Sequence, residues 1–426
     1  MIKKLFFSFL IFHSCILFVI AQSVTKKVLF LGNSYTFVND LPQMIANVAN
    51  STGNTLTFDS WALGGYTLKG HFTNTTSISK INTGNWDYVV LQEQSQLPSF
   101  PITQVQANVF PYATKLDSVI NSSNNCAETV FFMTWGRKNG DASNCATWPP
   151  VCTYTGMDSL LHKRYRTMAD TNSAILSPVG AVWKYIRSNY STIDLYEADE
   201  SHPSLAGTYA AACTFYATLY RKDPTLITFN STLSATDAAN IRNAAKIVVY
   251  NNLAQWNIGN YDPNASFNVL PAGINQVAFT NTSQYFSSTH WNFGDGNTST
   301  LLNPTHTYSA SGTYSVWLKV SKCGMSDSTL MLLNTEDVSV HQFDKTSFQF
   351  SAFPNPSSKT LFLKGNFPNK LSYKIHSLDG RLICGPLDVN NYYSISIESL
   401  SAGSYFLSLY TSDQLIGRKA FIRSGN

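Results

Sequence analysis

The chain has 426 residues, of which 44% are hydrophobic, 13% aromatic and only 13% charged. That balance excludes a disordered chain and predicts a folded protein of two to four domains with a polar, sparsely charged surface. The formal charge of +4, about +2 without Lys3 and Lys4, offers nothing to a polyanion, so nucleic acid is excluded as a partner.

Residues 1–21 place Lys3 and Lys4 before an apolar run that ends at Ala21. This is the order of a secretory signal peptide, with an N-terminal membrane anchor as the alternative. No later run is long enough to span a bilayer, so no stable membrane insertion is expected after signal cleavage. Export permits disulfides, and Cys145 and Cys152, which bracket Trp148-Pro149-Pro150, are the expected bridge. The alternative is that most of the cysteines are buried free thiols. None of their spacings resembles a zinc site.

In chain order, Val28-Leu29-Phe30-Leu31 reads as a buried strand running into the turn Gly32-Asn33-Ser34-Tyr35-Thr36. Leu41, Met44, Ile45 and Val48 then recur at helical spacing. Asp87-Tyr88-Val89-Val90-Leu91-Gln92 and Thr129-Val130-Phe131-Phe132-Met133 are two further apolar strands. Such runs between helices imply a parallel sheet covered on both faces, with ligands at the carboxyl ends of its strands. Ser34 and residues 92–96 lie at two such ends. A helical stretch over residues 235–256 closes this part, and Asn260-Tyr261-Asp262-Pro263-Asn264 reads as a linker. Over residues 267–340, short period-two strands punctuated by Gly, Asn and Pro predict a β-sandwich. A second all-β section follows Phe343.

Asp199-Glu200-Ser201-His202 supplies what the Ser34 turn lacks. A serine hydroxyl becomes a nucleophile when an imidazole takes its proton, and the imidazole needs a carboxylate to fix its tautomer. Ser34 is the expected nucleophile, His202 the general base and then general acid, and Asp199 the orienting acid, with Glu200 and Asp194 as competitors. The bland readings make Ser34 a helix cap and His202 a structural histidine. Met133-Thr134-Trp135-Gly136-Arg137 follows a strand toward the same edge, where Trp135 could stack on a sugar ring and Arg137 meet an acidic one. The alternative packs Trp135 in the core and leaves Arg137 in solvent.

Residues 22–260 resemble the SGNH/GDSL hydrolase superfamily. The first block is Gly32-Asn33-Ser34-Tyr35-Thr36, the second Gly64-Gly65 and the last Asp199 to His202 followed by Pro203. The resemblance implies a flavodoxin-like three-layer α/β/α domain with a parallel sheet. It also implies an oxyanion hole made by the amides of Ser34 and Gly65 and a third-block asparagine side chain. The third block departs from that pattern. Glu93-Gln94-Ser95-Gln96 stands where Gly-x-Asn-Asp is expected, so Gln94 becomes the choice for the third donor, with Gln92 and Gln96 close behind.

Residues 265–341 resemble a PKD-type β-sandwich through Trp291-Asn292-Phe293-Gly294-Asp295-Gly296, Asn303-Pro304-Thr305-His306-Thr307-Tyr308 and Gly312-Thr313-Tyr314-Ser315-Val316, with His306 read as structural. Residues 347–426 resemble the C-terminal sorting domain of the type IX secretion system. The blocks are Phe353-Pro354-Asn355-Pro356, Ser377-Leu378-Asp379-Gly380-Arg381 and Leu400-Ser401-Ala402-Gly403-Ser404-Tyr405. That family implies the type IX secretion machinery of a Bacteroidetes-type bacterium as a partner; a carbohydrate-binding sandwich is the competing reading. Together these expectations describe a secreted or cell-surface serine esterase without cofactor or metal, acting on an acylated, chiefly acetylated, carbohydrate. A lipase or lysophospholipase and a non-catalytic glycan-binding protein are the rivals.

Overall fold

The computed structural model describes residues 23–273, 275–335, 350–365, 367, 370–378, 381–389, 393–411 and 414–424. The signal-peptide reading at residues 1–21 lies outside them, as do Asp379 and Gly380 of the second sorting-domain block.

Five parallel strands, β1 (Thr25–Gly32), β2 (Thr55–Ala62), β3 (Tyr88–Leu91), β4 (Glu128–Phe132) and β5 (Ile175–Ser177), form a sheet of order β2-β1-β3-β4-β5. This is the flavodoxin-like winding, in which the chain reverses direction across the sheet between β1 and β3 and opens a crevice at their carboxyl ends. The helices are α1 (Ser34–Phe37), α2 (Leu41–Asn50), α3 (Leu68–Thr73), α4 (Thr75–Ile81), α5 (Ile102–Asn108), α6 (Phe110–Ser123), α7 (Ala142–Cys145), α8 (Tyr154–Thr171), α9 (Val179–Asn189), α10 (Leu205–Tyr220) and α11 (Ala235–Val248). The apolar run Val28-Leu29-Phe30-Leu31 in β1 is wholly buried, as a strand covered on both faces must be. In α2, Leu41, Met44, Ile45 and Val48 point into the core, and the Asp40 side chain caps the helix by accepting a hydrogen bond from the Gln43 amide. Helix α10 is built mostly of Ala, Thr and aromatic residues and is buried all round. It starts from its Ser204 cap directly after His202-Pro203 and so fixes the His202 loop to the core.

Two all-β sandwiches follow. In the first, β6 (Phe267–Gly273), β7 (Gln276–Asn281) and β10 (Thr305–Thr307) face β8 (Ser288–Asn292), β9 (Thr298–Ser299), β11 (Thr313–Lys322) and β12 (Met325–Asn334). Phe267, Phe279, Trp291, Phe293 and Tyr308 fill its core, as residues alternating along half-buried strands should. His306 stacks on Phe293 at 4.1 Å and bonds Asp295 at 2.7 Å inside this sandwich. In the second, β13 (Ser351–Phe353), β14 (Thr360–Lys364) and β17 (Ser394–Ser396) face β15 (Ser372–Ser377), β16 (Leu382–Asp388), β18 (Gly403–Thr411) and β19 (Gln414–Arg423).

The three parts are packed together. Phe353 and Phe362 of the last sandwich join the core of the α/β domain, and Phe406 meets Trp317 of the first sandwich at 5.0 Å. Lys419 of β19 is buried against that sandwich, where its ammonium donates to the Asn264 side chain at 2.9 Å and to the Ala265 carbonyl and pairs with Asp327 at 3.5 Å. Cys145 and Cys152 are bonded across their loop, and a second disulfide, Cys126–Cys323, ties the α/β domain to the first sandwich. Cys213 is a buried free thiol, and Cys384 is free and half-buried. Among the described residues no helix is long and apolar enough to cross a membrane.

Candidate active site

The Ser34 turn forms because β1 ends against the β3 loop. A Cβ on Gly32 would lie 2.2 Å from Thr36 Oγ1 and 2.7 Å from Gln92 Oε1, so only glycine lets the chain pass that close. Asn33 caps α1, its Oδ1 accepting from the Tyr35 amide at 3.1 Å. Gln92 Oε1 accepts from the Asn33 amide at 2.9 Å and the Thr36 hydroxyl at 3.0 Å, while its Nε2 donates to Asn33 Oδ1 at 2.9 Å. Asn33 Nδ2 reaches across to the Tyr66 carbonyl at 2.9 Å, holding the second-block loop to the first. In that loop Gly65 has φ +67°, a left-handed conformation that favours glycine.

Ser34 Oγ lies 2.8 Å from His202 Nε2, and His202 Nδ1 makes a short hydrogen bond to Asp199 Oδ2. The structure thus brings Ser34, His202 and Asp199 into one line. Asp199 Oδ1 also accepts from the Ser201 amide at 3.0 Å and the His202 amide at 2.9 Å. Burial pushes the Asp199 carboxyl up, but the bonds from the His202 ring and these two amides outweigh it and hold the acid below its ordinary value. The other acids are engaged elsewhere: Glu200, at φ +61°, accepts from Asn139, and Asp194 pairs with Lys138 at 2.8 Å. The site is open, with the side chains of His202 and Asp199 35% and 48% exposed.

Trp135 departs from the sugar-stacking expectation. One indole face is covered by Tyr35 at 4.6 Å and the other by Trp183 at 3.7 Å, so no face is left for a ligand. Its Nε1 donates to the Ser201 carbonyl at 3.1 Å, and the Tyr35 hydroxyl bonds Ser201 Oγ at 2.7 Å. The stack therefore carries the Asp199–His202 loop. The sequence reading missed the supports Tyr35, Ser201 and Trp183. The first two stand inside the quoted blocks, whereas Trp183 on α9 has no local signal. We expect Trp135→Phe, which keeps a ring in the stack but loses the bond to Ser201, to cost about 1–3 kcal/mol in urea unfolding and to lower kcat more than it changes KM.

Arg137 is one-quarter exposed and its Nη1 pairs with buried Asp141 at 3.1 Å. Asp141 also accepts from Gln96 Nε2 at 2.7 Å. Gln94 is half-buried; its Oε1 accepts from the Gln96 amide at 2.8 Å, and its Nε2 donates to Gln96 Oε1 at 3.1 Å. Of the three glutamines weighed as oxyanion donor, Gln92 is thus committed to the Ser34 turn and Gln96 to Asp141, while Gln94 bonds within its own loop. No group of His, Cys, Asp and Glu side chains among the described residues could hold a metal ion.

Residues 270–332 match the PKD domain family and residues 351–423 the secretion system C-terminal sorting domain family. No curated protein matches the sequence. Among solved structures the chain is similar to a DUF4886 family protein from Bacteroides uniformis, at 18% identity over 53% of this chain and 95% of that one, with a TM-score of 0.47. It is also similar to a candidate SGNH hydrolase from Slackia heliotrinireducens, at 25% identity over 46% of this chain and 100% of that one, with a TM-score of 0.38. The PKD1 domain of a Vibrio cholerae metalloprotease is 36% identical over 17% of this chain and 95% of that one, with a TM-score of 0.16. Residues 270–332 thus match the PKD domain family and residues 351–423 the sorting-domain family, so the chain is a secreted or cell-surface protein in which these modules follow a flavodoxin-like α/β/α domain.

Proposed function

We propose that the α/β domain is a serine esterase that removes acyl groups, acetyl above all, from carbohydrate through an acyl-enzyme on Ser34. The observation that carries this reading is the line from Ser34 Oγ through the His202 ring to Asp199. His202 Nε2 takes the serine proton as Oγ attacks the ester carbonyl, and Asp199 holds the imidazolium that results. The amides of Ser34 and Gly65 and the Gln94 side chain are assigned to the oxyanion. His202 returns the proton to the departing sugar oxygen. Water, deprotonated by His202, then releases the carboxylic acid and restores Ser34.

Carbohydrate is favoured by the open rim, which leaves room for a bulky alcohol, by the glutamine-bearing third block and by the secretion context. Arg137 is assigned to contact substrate from the rim. One observation favours a longer acyl chain instead: Phe37 and Leu63, from the segments that carry the nucleophile and Gly64-Gly65, are 48% and 39% exposed. Hydrolysis of 4-nitrophenyl acetate, butyrate and decanoate separates the two. We expect kcat/KM for acetate to exceed that for decanoate by about tenfold or more, with acetate released from acetylated xylan. The opposite order would replace the carbohydrate reading with a lipase, and no turnover with glycan binding retained would replace the enzyme with a binding protein.

A further inference from the structure

Glu93 is a wholly buried carboxyl group that the mechanism above leaves unused. It lies two residues past the end of β3 and touches each loop of the proposed oxyanion hole. Its Oε1 accepts from the Gln94 amide at 2.6 Å, and its two oxygens share the Leu68 amide at 3.2 and 3.3 Å. Leu68 opens α3, three residues beyond Gly65. The Glu93 carbonyl accepts from Gln92 Nε2 at 2.5 Å and from Asn33 Nδ2 at 3.4 Å, next to Ser34. One residue thus joins the nucleophile turn, the glycine loop and the glutamine loop.

Resting on the esterase reading, we propose that Glu93 is a positioning residue whose side-chain carboxyl keeps Gly65 and Gln94 in register with Ser34, and that it does so as a neutral group. No cation pairs with it among the described residues. Tyr165 of α8, whose hydroxyl accepts from the Glu93 amide at 3.2 Å, faces it, with Tyr35 of α1 beyond and His71 on α3; the cations of these helices, Lys69 of α3 and Arg164 of α8 among them, do not act on the carboxyl. None of them is a counter-charge. His71 is held near pKa 4 by burial and stays neutral, and burial raises both tyrosines. Burial outweighs the two amide donors at Glu93 and pushes its carboxyl up to about 8. Ionisation above that pH puts an unpaired negative charge behind the loops that must stabilise another one, so activity falls on the alkaline side. Stability moves the same way. The folded state keeps a proton that the unfolded chain loses near 4.5, so stability declines as pH rises from there through about 8.

The test compares Glu93→Gln and Glu93→Ala with the wild-type protein, using 4-nitrophenyl acetate turnover, the rate of Ser34 labelling by a fluorophosphonate, and Tm from pH 5 to 9. Glutamine keeps the acceptor oxygen, so Glu93→Gln should stay within about threefold of wild-type kcat at pH 7 while losing the alkaline limb near pH 8. Its Tm should also fall less between pH 7 and 9. Glu93→Ala should lose about tenfold or more in kcat and in labelling rate with KM within about twofold. Unchanged kcat in Glu93→Ala, or a wild-type alkaline limb persisting in Glu93→Gln, overturns the proposal. Should the alanine variant not fold, the glutamine variant decides alone. A wild-type protein that neither turns over ester nor takes the label refutes the esterase reading instead. The Tm comparison then still decides the neutral carboxyl, which fails if both proteins lose stability equally.

Discussion

Ser34→Ala is expected to lower kcat on 4-nitrophenyl acetate by about ten-thousand- to a million-fold, leaving only the rate that binding and the oxyanion donors supply. His202 Nε2 lies 2.8 Å from Ser34 Oγ, so His202→Ala should fall into the same range, because an unactivated hydroxyl does no better than an absent one. The double variant should be no worse than either single one, since the pair acts as a unit. Asp199→Asn should lose less, as the imidazole survives but its tautomer is no longer fixed. The assignment of Ser34 fails if Ser34→Ala keeps more than about one-hundredth of the wild-type rate. Phe37 and Leu63 give an independent control, because changing them should alter the preferred acyl length without abolishing turnover.

The second large effect concerns the packing of the sorting domain. Lys419→Met should destabilise the protein by about 3–5 kcal/mol, because it strands Asp327 as an uncompensated buried carboxyl. Burial pushes Asp327 up and Lys419 down; their mutual attraction opposes both shifts, and the amides of Ala265 and Ser328 also draw the Asp327 carboxyl down. Asp327 keeps the Ala265 amide at 2.7 Å, which satisfies one oxygen but brings no full charge. The pairing of Lys419→Met with Asp327→Asn should recover most of the loss, since removing both charges is far cheaper than removing one. Urea unfolding of the two variants beside wild type checks this. Equal stability of all three would mean that the sorting domain is not held through this contact.

What the sequence could tell depended on how far apart the interacting residues lie along the chain. The parallel sheet and the two sandwiches were legible because apolar runs and period-two alternation are local signals. The Ser34 turn and the Asp199–His202 loop were legible as short strings whose chemistry is carried by neighbours. Trp135 was not, because its partners Tyr35 and Trp183 come from α1 and α9 and meet only in the fold. The helix expected over residues 235–256 stops at Val248, and the chain tightens into a 3₁₀ turn with Asn252 out of helical geometry before Trp256 is buried. Apolar spacing alone could not show that break. Nor could it show that Gln92 would be drawn under the Ser34 turn, which depends on β1 and β3 being neighbours in the sheet.

The Cys126–Cys323 bridge changes what a proteolytic cut can do. It joins residues 197 positions apart, and the linker between the α/β domain and the PKD module lies inside the ring it closes. A single nick in that ring, even in Asn260-Tyr261-Asp262-Pro263-Asn264, opens the loop without releasing either piece. Shedding of the α/β domain alone therefore takes reduction as well as cleavage. A reducing cytoplasm does not form the bond, so this covalent leash belongs to the molecule only once it is outside.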